Sequence, residues 1–267
     1  MHWNNINVYP RAKLNAAIAF SQRNMKGYLP LYKSERTKLL QYGARNMIDD
    51  ETMISIRRHT QIQSVVYKRV SSDIGKSIVK AFDMLVKDVE GEKDDKVIVD
   101  LFLKFLLSQD VPIVHIDRAL KKYDMGEVNP KLIGYLKEFL EKMRGEDNKV
   151  REDAESHEKA LCEFLLKSNL VFETEADLKA KGESLTPDVL LKEAVTITVG
   201  DTTHQVRWID AKNYSLAPHK FFLSKLTKQA AKYIKAFGPG AFVFNHSIDD
   251  SFRLENVVML DGSALYL

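Results

Sequence analysis

The stretch from Thr186 to Asn213 constrains the fold more than any other part of the chain. Two Val- and Thr-rich runs, TPDVLLKEAVTITV and HQVRWIDAKNY, flank a Gly200-Asp201 pair. A two-residue Gly-Asp loop between strand-forming runs predicts an antiparallel hairpin. An apolar segment, LVFETE, precedes it, and a helix from about Asp153 to Lys167 precedes that. Downstream, a long helix is expected from about Pro218 to Phe237, stopped by Gly238-Pro239-Gly240 and followed by the strands AFVFN and NVVML. Helix, three strands, helix and two strands predict a mixed α/β domain around a central mixed sheet, not two packed sheets.

The first half reads differently. Leu14, Ala17 and Ile18 make one apolar stripe at helical spacing, and Ile74, Ile78, Phe82 and Leu85 make another. Between Val97 and Tyr123, two helical runs around SQDVP are compatible with a helix-turn-helix carrying Arg118, Lys121 and Lys122 on its second helix. The charged stretch Arg144–Ser156 is expected to separate a helical region, 1–148, from an α/β domain, 149–267. Residues 1–90 hold 15 Lys and Arg against 8 Asp and Glu, while the remaining 177 hold 25 against 29. A basic half beside a mildly acidic one suits a nucleic-acid grip joined to a cation-binding domain. No apolar run reaches the roughly 18 residues of a membrane span, and MHWNNINVYPRAK lacks a secretory core, so an intracellular protein of nucleus or cytoplasm is expected. Cys162, the single cysteine, reads as a packing residue.

The hairpin carries the chemistry. Side chains alternate along a strand, so Asp210 and Lys212 project from one face together with Trp208. Pairing across the turn would set Asp188 beside Asp210. Two adjacent carboxylates repel unless a cation lies between them, and hard oxygen donors suit Mg2+ or Mn2+. The expected ligands are Asp188, Asp210, the backbone carbonyl of Ala211, and Glu158 from the preceding helix. Lys212 would position a water and stabilise charge developing on a phosphate. Gln229 and Tyr233, four residues apart on the following helix, would share a face towards the same site, supporting the phosphate and Lys212. His157 reads as a surface histidine, and Lys220, Lys225, Lys228, Lys232 and Lys235 as mostly solvated.

SHEKALCEFLLKSNLVFETEADLKAKG, TPD, WIDAK, QAAKY and FGPG together resemble the codanin-interacting nuclease family over roughly residues 155–245. The order is also similar to the RecB-type exonuclease pattern: an early Glu, PD, (D/E)xK, then QxxxY. The resemblance implies a helical N-terminal region and a restriction-endonuclease-like PD-(D/E)xK domain. On that pattern Glu158, Asp188, Asp210, Lys212, Gln229 and Tyr233 take the functional positions. It further implies a codanin-like protein partner. The chain departs at Ser156, where an acid is expected, at Asp210 in place of Glu, and in the loop after Lys212.

The function expected is metal-dependent hydrolysis of DNA, with branched or structured DNA among the substrates and a homodimer compatible with it. One alternative is a protein-interaction module of chromatin assembly or DNA maintenance on a nuclease fold. Another is a helix-turn-helix regulator with an accessory domain.

Overall fold

The structure, a computed structural model, describes residues 1–24, 33–66 and 130–266. The helix-turn-helix expected over Val97–Tyr123, with Arg118, Lys121 and Lys122, lies outside them, as does the stripe Ile74, Ile78, Phe82 and Leu85. The chain divides into two compact units: Met1–Ser21, Leu39–His59 and Val150–Leu267 form one, and Gln22–Lys38 with Thr60–Lys149 the other. The sheet-bearing unit therefore takes in N-terminal residues that the division at 148/149 assigned to the helical half. Among the described residues no helix is long and apolar enough to cross a membrane.

Three helices come first: α1 (Arg11–Asn24), α2 (Lys33–Arg45) and α3 (Asp50–Val66). In α1 the expected stripe is buried, with Leu14, Ala17 and Ile18 joined by Ser21. The next described helix, α4, runs unbroken from Pro130 to Lys167. The charged stretch Arg144–Ser156 thus lies within a helix, and the boundary between the two units falls inside it, between Lys149 and Val150. Arg, Glu, Lys and Ala favour helix and need no core, and a run of them makes a solvated helical face. Arg151–Glu155 and Lys159–Glu163 pair across single turns there.

The sheet follows: β2 (Phe172–Thr174), β3 (Val189–Val199), β4 (Thr202–Lys212), β5 (Gly240–Phe244) and β7 (Val257–Asp261), in the spatial order β2-β3-β4-β5-β7. The first two pairings are antiparallel and the last two parallel, so the sheet is mixed. Gly200 turns the β3–β4 hairpin at a φ of 56°, which an L side chain would resist. Parallel β4 and β5 need a crossover, and helix α6 (Lys220–Phe237) supplies it. A short helix, α5 (Glu175–Ala180), links β2 to β3; Thr174 caps it in a reciprocal box with Asp177.

The sheet separates two cores. Leu161 and Leu165 of α4 pack with Val189, Leu191, Ile209, Ala241, Val243, Val258 and Leu260. On the opposite face Leu226, Ala230 and Tyr233 of α6 pack with Trp208, Phe242, Phe244 and Met259. The FGPG segment is shaped by Trp208, whose indole N–H donates to the Gly238 carbonyl at 2.9 Å. Its ring lies so close over Gly240 that a Cβ built there would overlap it.

The chain's first residues complete the unit. Trp3, 1% exposed, enters the α4-side core, and its indole N–H donates to the Asp261 carbonyl at 2.8 Å. The Asp261 carboxylate accepts the backbone N–H groups of Ile6 at 2.8 Å and Asn7 at 2.7 Å. Strand β1 (Val8–Tyr9) then pairs in parallel with β6 (Ile248–Asp249).

Candidate active site

The β3–β4 hairpin does not keep one register along its length. Near the turn Val199 faces Thr202 and Val195 faces Val206; beyond an irregularity between Leu190 and Val195, Leu190 faces Trp208 and Val189 faces Ile209. Continued without that bulge, the turn's register would set Asp188 opposite Asn213. The extra residues on β3 bring it opposite Asp210 instead. The alternation on β4 breaks at the same level, because Val206 lies in the α4-side core and Trp208 in the α6-side core. Bulges bend strands and re-aim side chains in this way.

Asp210 is 3% exposed. Lys212, one residue pair further along the same face, holds its ammonium on Asp210 Oδ1 and over the Phe242 ring, 5.2 Å from the centroid. The Gln229 amide donates to Asp210 Oδ2 at 2.9 Å and to the Tyr233 hydroxyl at 3.2 Å. That hydroxyl donates in turn to the Thr186 carbonyl at 3.3 Å. Asp188 Oδ2 accepts the Ala211 N–H at 2.7 Å. Five of the six expected residues therefore meet: Asp188, Asp210, Lys212, Gln229 and Tyr233. Gln229 secures Asp210, not Lys212 as expected.

Glu158 stands apart from these hydrogen bonds but not from their field. Burial pushes its carboxyl up, and the like charges of Glu175, Asp210 and Glu155 push further, against the pull of Lys212. Asp188 is driven up to about 7, first by burial and then by Asp210, with the Ala211 N–H and Lys212 opposing. Burial raises Asp210 as well, against the stabilising Lys212 charge. Lys212 opposes the shift at all three carboxyls without cancelling any of them. Among the described residues, however, no group of three His, Cys, Asp or Glu side chains is arranged to hold a metal ion. The expected set of Glu158, Asp188 and Asp210 is not assembled as a cage: Lys212 and Gln229 take both oxygens of Asp210, and the Ala211 N–H takes Asp188 Oδ2.

Further residues come from elements the sequence did not connect to the site. Thr186 donates its hydroxyl to Glu175 Oε1 at 3.2 Å, and the Glu175 N–H donates to the Asp188 carbonyl at 3.2 Å. Glu175 opens a capped helix, and the T-E-A-D spacing of that cap was the available signal. Behind Lys212, the Ser215 N–H donates to Ser55 Oγ of α3 at 2.8 Å. His59 of α3 stacks on Phe222, centroids 3.6 Å apart, and meets Tyr214 edge-on at 4.7 Å. No motif announces that contribution of the N-terminal residues.

His157 is buried at 1% exposure, not on the surface. Its Nε2 faces the Val243 carbonyl at 3.3 Å, which only a donor can satisfy, leaving Nδ1 to accept from the Tyr266 hydroxyl at 3.1 Å. Burial holds its pKa down at about 4, so it is a neutral tether. Cys162 packs half-buried against the α4-side core, its thiol pKa raised by burial. Lys220, Lys225, Lys228, Lys232 and Lys235 are all exposed, as a solvated helix face requires.

Residues 136–262, which contain all six expected site residues, match the family described as protein of unknown function TPD sequence-motif. The chain is 29% identical over 274 residues to an uncharacterized protein of Acanthamoeba polyphaga mimivirus, covering 98% of this chain and 95% of that one. It is 35% identical over 88 residues to CDAN1-interacting nuclease 1 of Mus musculus, 33% of this chain and 30% of that protein. With the Xenopus laevis protein of the same name it shares 31% over 111 residues, 40% of this chain and 34% of the relative. The chain thus matches about a third of the length of these nuclease-named relatives. No solved structure matches it.

Proposed function

We propose that the chain is a nuclease of the PD-(D/E)xK type, hydrolysing phosphodiester bonds of DNA with Mg2+ or Mn2+. The observation that carries this reading is the opposition of Asp188 and Asp210 at the end of the hairpin, with Lys212 beside them on the same face. A scaffold gains nothing from holding Asp188 beside the buried Asp210, whose charge raises the Asp188 pKa. The helix–strand–strand–helix order, the similarity to proteins named nuclease and the family match support the same reading.

The donor set is of the kind a hard divalent cation takes, once Lys212 and Gln229 yield the Asp210 oxygens they hold. Burial makes the charged forms of Asp188 and Asp210 costly, and a cation between them would offset that cost. Glu158 and the Ala211 carbonyl would complete the ligands. A cation there supplies charge neutralisation and polarisation of a phosphoryl oxygen. Lys212, its ammonium oriented by Asp210, hydrogen-bonds the attacking water and offsets negative charge growing on the phosphate. Gln229 keeps Asp210 in place, and Tyr233 keeps Gln229 in place. Glu158, reaching the site from α4, would complete that ligand shell or orient the water.

The test is cleavage of labelled single-stranded, duplex and branched DNA with Mg2+, Mn2+ or chelator. Cation-dependent cutting by the natural protein, lost in Asp210→Ala and in Lys212→Ala, is the expected result. No cutting of any substrate, with no cation binding by calorimetry, would defeat the reading. It would favour an interaction module instead, for which the exposed Leu166 (60%) and Val171 (68%) are the supporting observation.

A further inference from the structure

Hydrogen bonds run unbroken from α5 to the acid–lysine pair. Glu175 Oε1 accepts from the Thr186 hydroxyl, the Thr186 carbonyl accepts from Tyr233, and Gln229 joins Tyr233 to Asp210 Oδ2. Thr186 uses its side chain in one direction and its backbone in the other. Glu175 is held twice, through Thr186 and through its own N–H on the Asp188 carbonyl, and its other oxygen pairs with Lys179 at 2.8 Å. The first residue of α5 is thereby clamped to the segment that delivers Asp188.

The geometry points to Thr186 and Glu175 as positioning residues of the site, setting the Tyr233 hydroxyl and, through Gln229, the orientation of Asp210. Neither needs to touch substrate. Asp210 has little freedom of its own: the Lys212 ammonium takes one oxygen and Gln229 the other. What holds Gln229 therefore holds Asp210. A threonine suits the relay position because its hydroxyl reaches Glu175 while its β-branching stiffens the strand entry. Valine there would keep the shape and remove only the donor. Glutamine in place of Glu175 would keep the acceptor and remove only the charge.

The consequence for rate rests on the nuclease reading; the mechanical coupling does not. Two measurements on the full chain separate them. Thr186→Val should lower kcat by about three- to tenfold with KM nearly unchanged, as expected when a geometry used in the transition state loosens. Thr186→Ser and Glu175→Gln should recover most of the rate, whereas Glu175→Ala should resemble Thr186→Val. A fall in Thr186→Val that serine does not rescue, or one confined to KM, would overturn the positioning role. In urea unfolding, Thr186→Val and Tyr233→Phe together should cost less than the two single losses combined, by about threefold or more in equilibrium constant. Simple additivity would overturn the coupling. A natural protein that cuts nothing would defeat the nuclease reading instead, and the unfolding cycle would still decide whether Thr186 orients Tyr233.

Discussion

The same strands build both faces of the sheet, yet the faces have different chemistry. Towards α4 the core is almost wholly hydrocarbon, with Leu161, Leu165, Ile209, Val243 and Leu260 packed around Trp3. Towards α6 four buried rings, Trp208, Tyr233, Phe242 and Phe244, join aliphatic side chains, and the Lys212 ammonium on Asp210 lies over the Phe242 ring. Strand alternation makes the division: Ile209 and Ala211 turn to one face, Trp208, Asp210 and Lys212 to the other. The α6 face tolerates the charges because it supplies an amide, a phenol and an ammonium as partners. The α4 face offers Asp210 nothing comparable. Both faces hold a hydrophobic core, and the buried charge of β4 is confined to one of them.

The sharpest way to break this division is Asp210→Asn. On the proposed function, cleavage falls by about a thousandfold, comparable to losing a preorganised electrostatic group. The unfolding midpoint should change little, since asparagine keeps an acceptor for Gln229 and removes a buried charge while leaving the Lys212 ammonium without its counter-charge. A loss of stability as large as that from a core truncation would mean the faces are not separable. That truncation is Leu161→Ala, fully buried in the natural protein. It should cost about 2–5 kcal/mol in chemical unfolding. Cleavage per folded molecule should stay within about twofold of the natural protein, because Leu161 lies in the hydrocarbon core.

These two variants touch what the sequence showed well. The hairpin, the crossover helix and the pair Asp210–Lys212 were legible because each depends on local periodicity or a turn signal. The bulge was not. Nothing in VLLKEAVTITV states that residues between Leu190 and Val195 leave the ladder, and without it the expected meeting of Asp188 and Asp210 fails. The stretch Arg144–Ser156 does hold the boundary between the units, but its helical backbone was not legible, because a charged run looks the same in a linker and on a solvated helix. The α3 contacts of Ser55 and His59 were missed because they join elements far apart in the chain, and the Glu175–Thr186 contact because it depends on how a short helix folds back on the strand entry. Alternation and spacing carry no information about such meetings.

Gly240→Ala sharpens the comparison at the boundary, since Gly240 lies beneath Trp208 on the aromatic face. Forcing a methyl under the indole should cost about 1–3 kcal/mol, read as a lowered urea midpoint. No loss would mean that Trp208 moves aside freely, and that the aromatic platform under Asp210 is soft.

The smallest expected effect tests the charge itself. The Asp188 carboxyl is raised in the fold to about 7 from an ordinary value of 3.8. Between these values the folded protein binds more protons than the unfolded chain, so this group's stabilising share is present below pH 4 and is lost as pH rises towards 7. Asp188→Asn should flatten that fall and raise the thermal midpoint above pH 7 by roughly 2–4 °C, about 1 kcal/mol for a chain this size. Added Mn2+ should close the gap by stabilising only the natural protein. Parallel pH profiles for the two proteins would show that Asp188 is not strained in the fold.

The placement of Trp3 has a consequence for the order in which the protein can be completed during synthesis. Its indole bonds to Asp261, 258 residues later in the chain. At a ribosomal pace of about 5–20 residues per second, the two are separated by roughly 13–50 s. Throughout that interval the α4-side core lacks β7, and an aromatic side chain made among the first few residues has no finished pocket to enter. Trp3 therefore stays unplaced until β7 has been made, and the α4-side core cannot close around it before the last strand of the sheet has emerged.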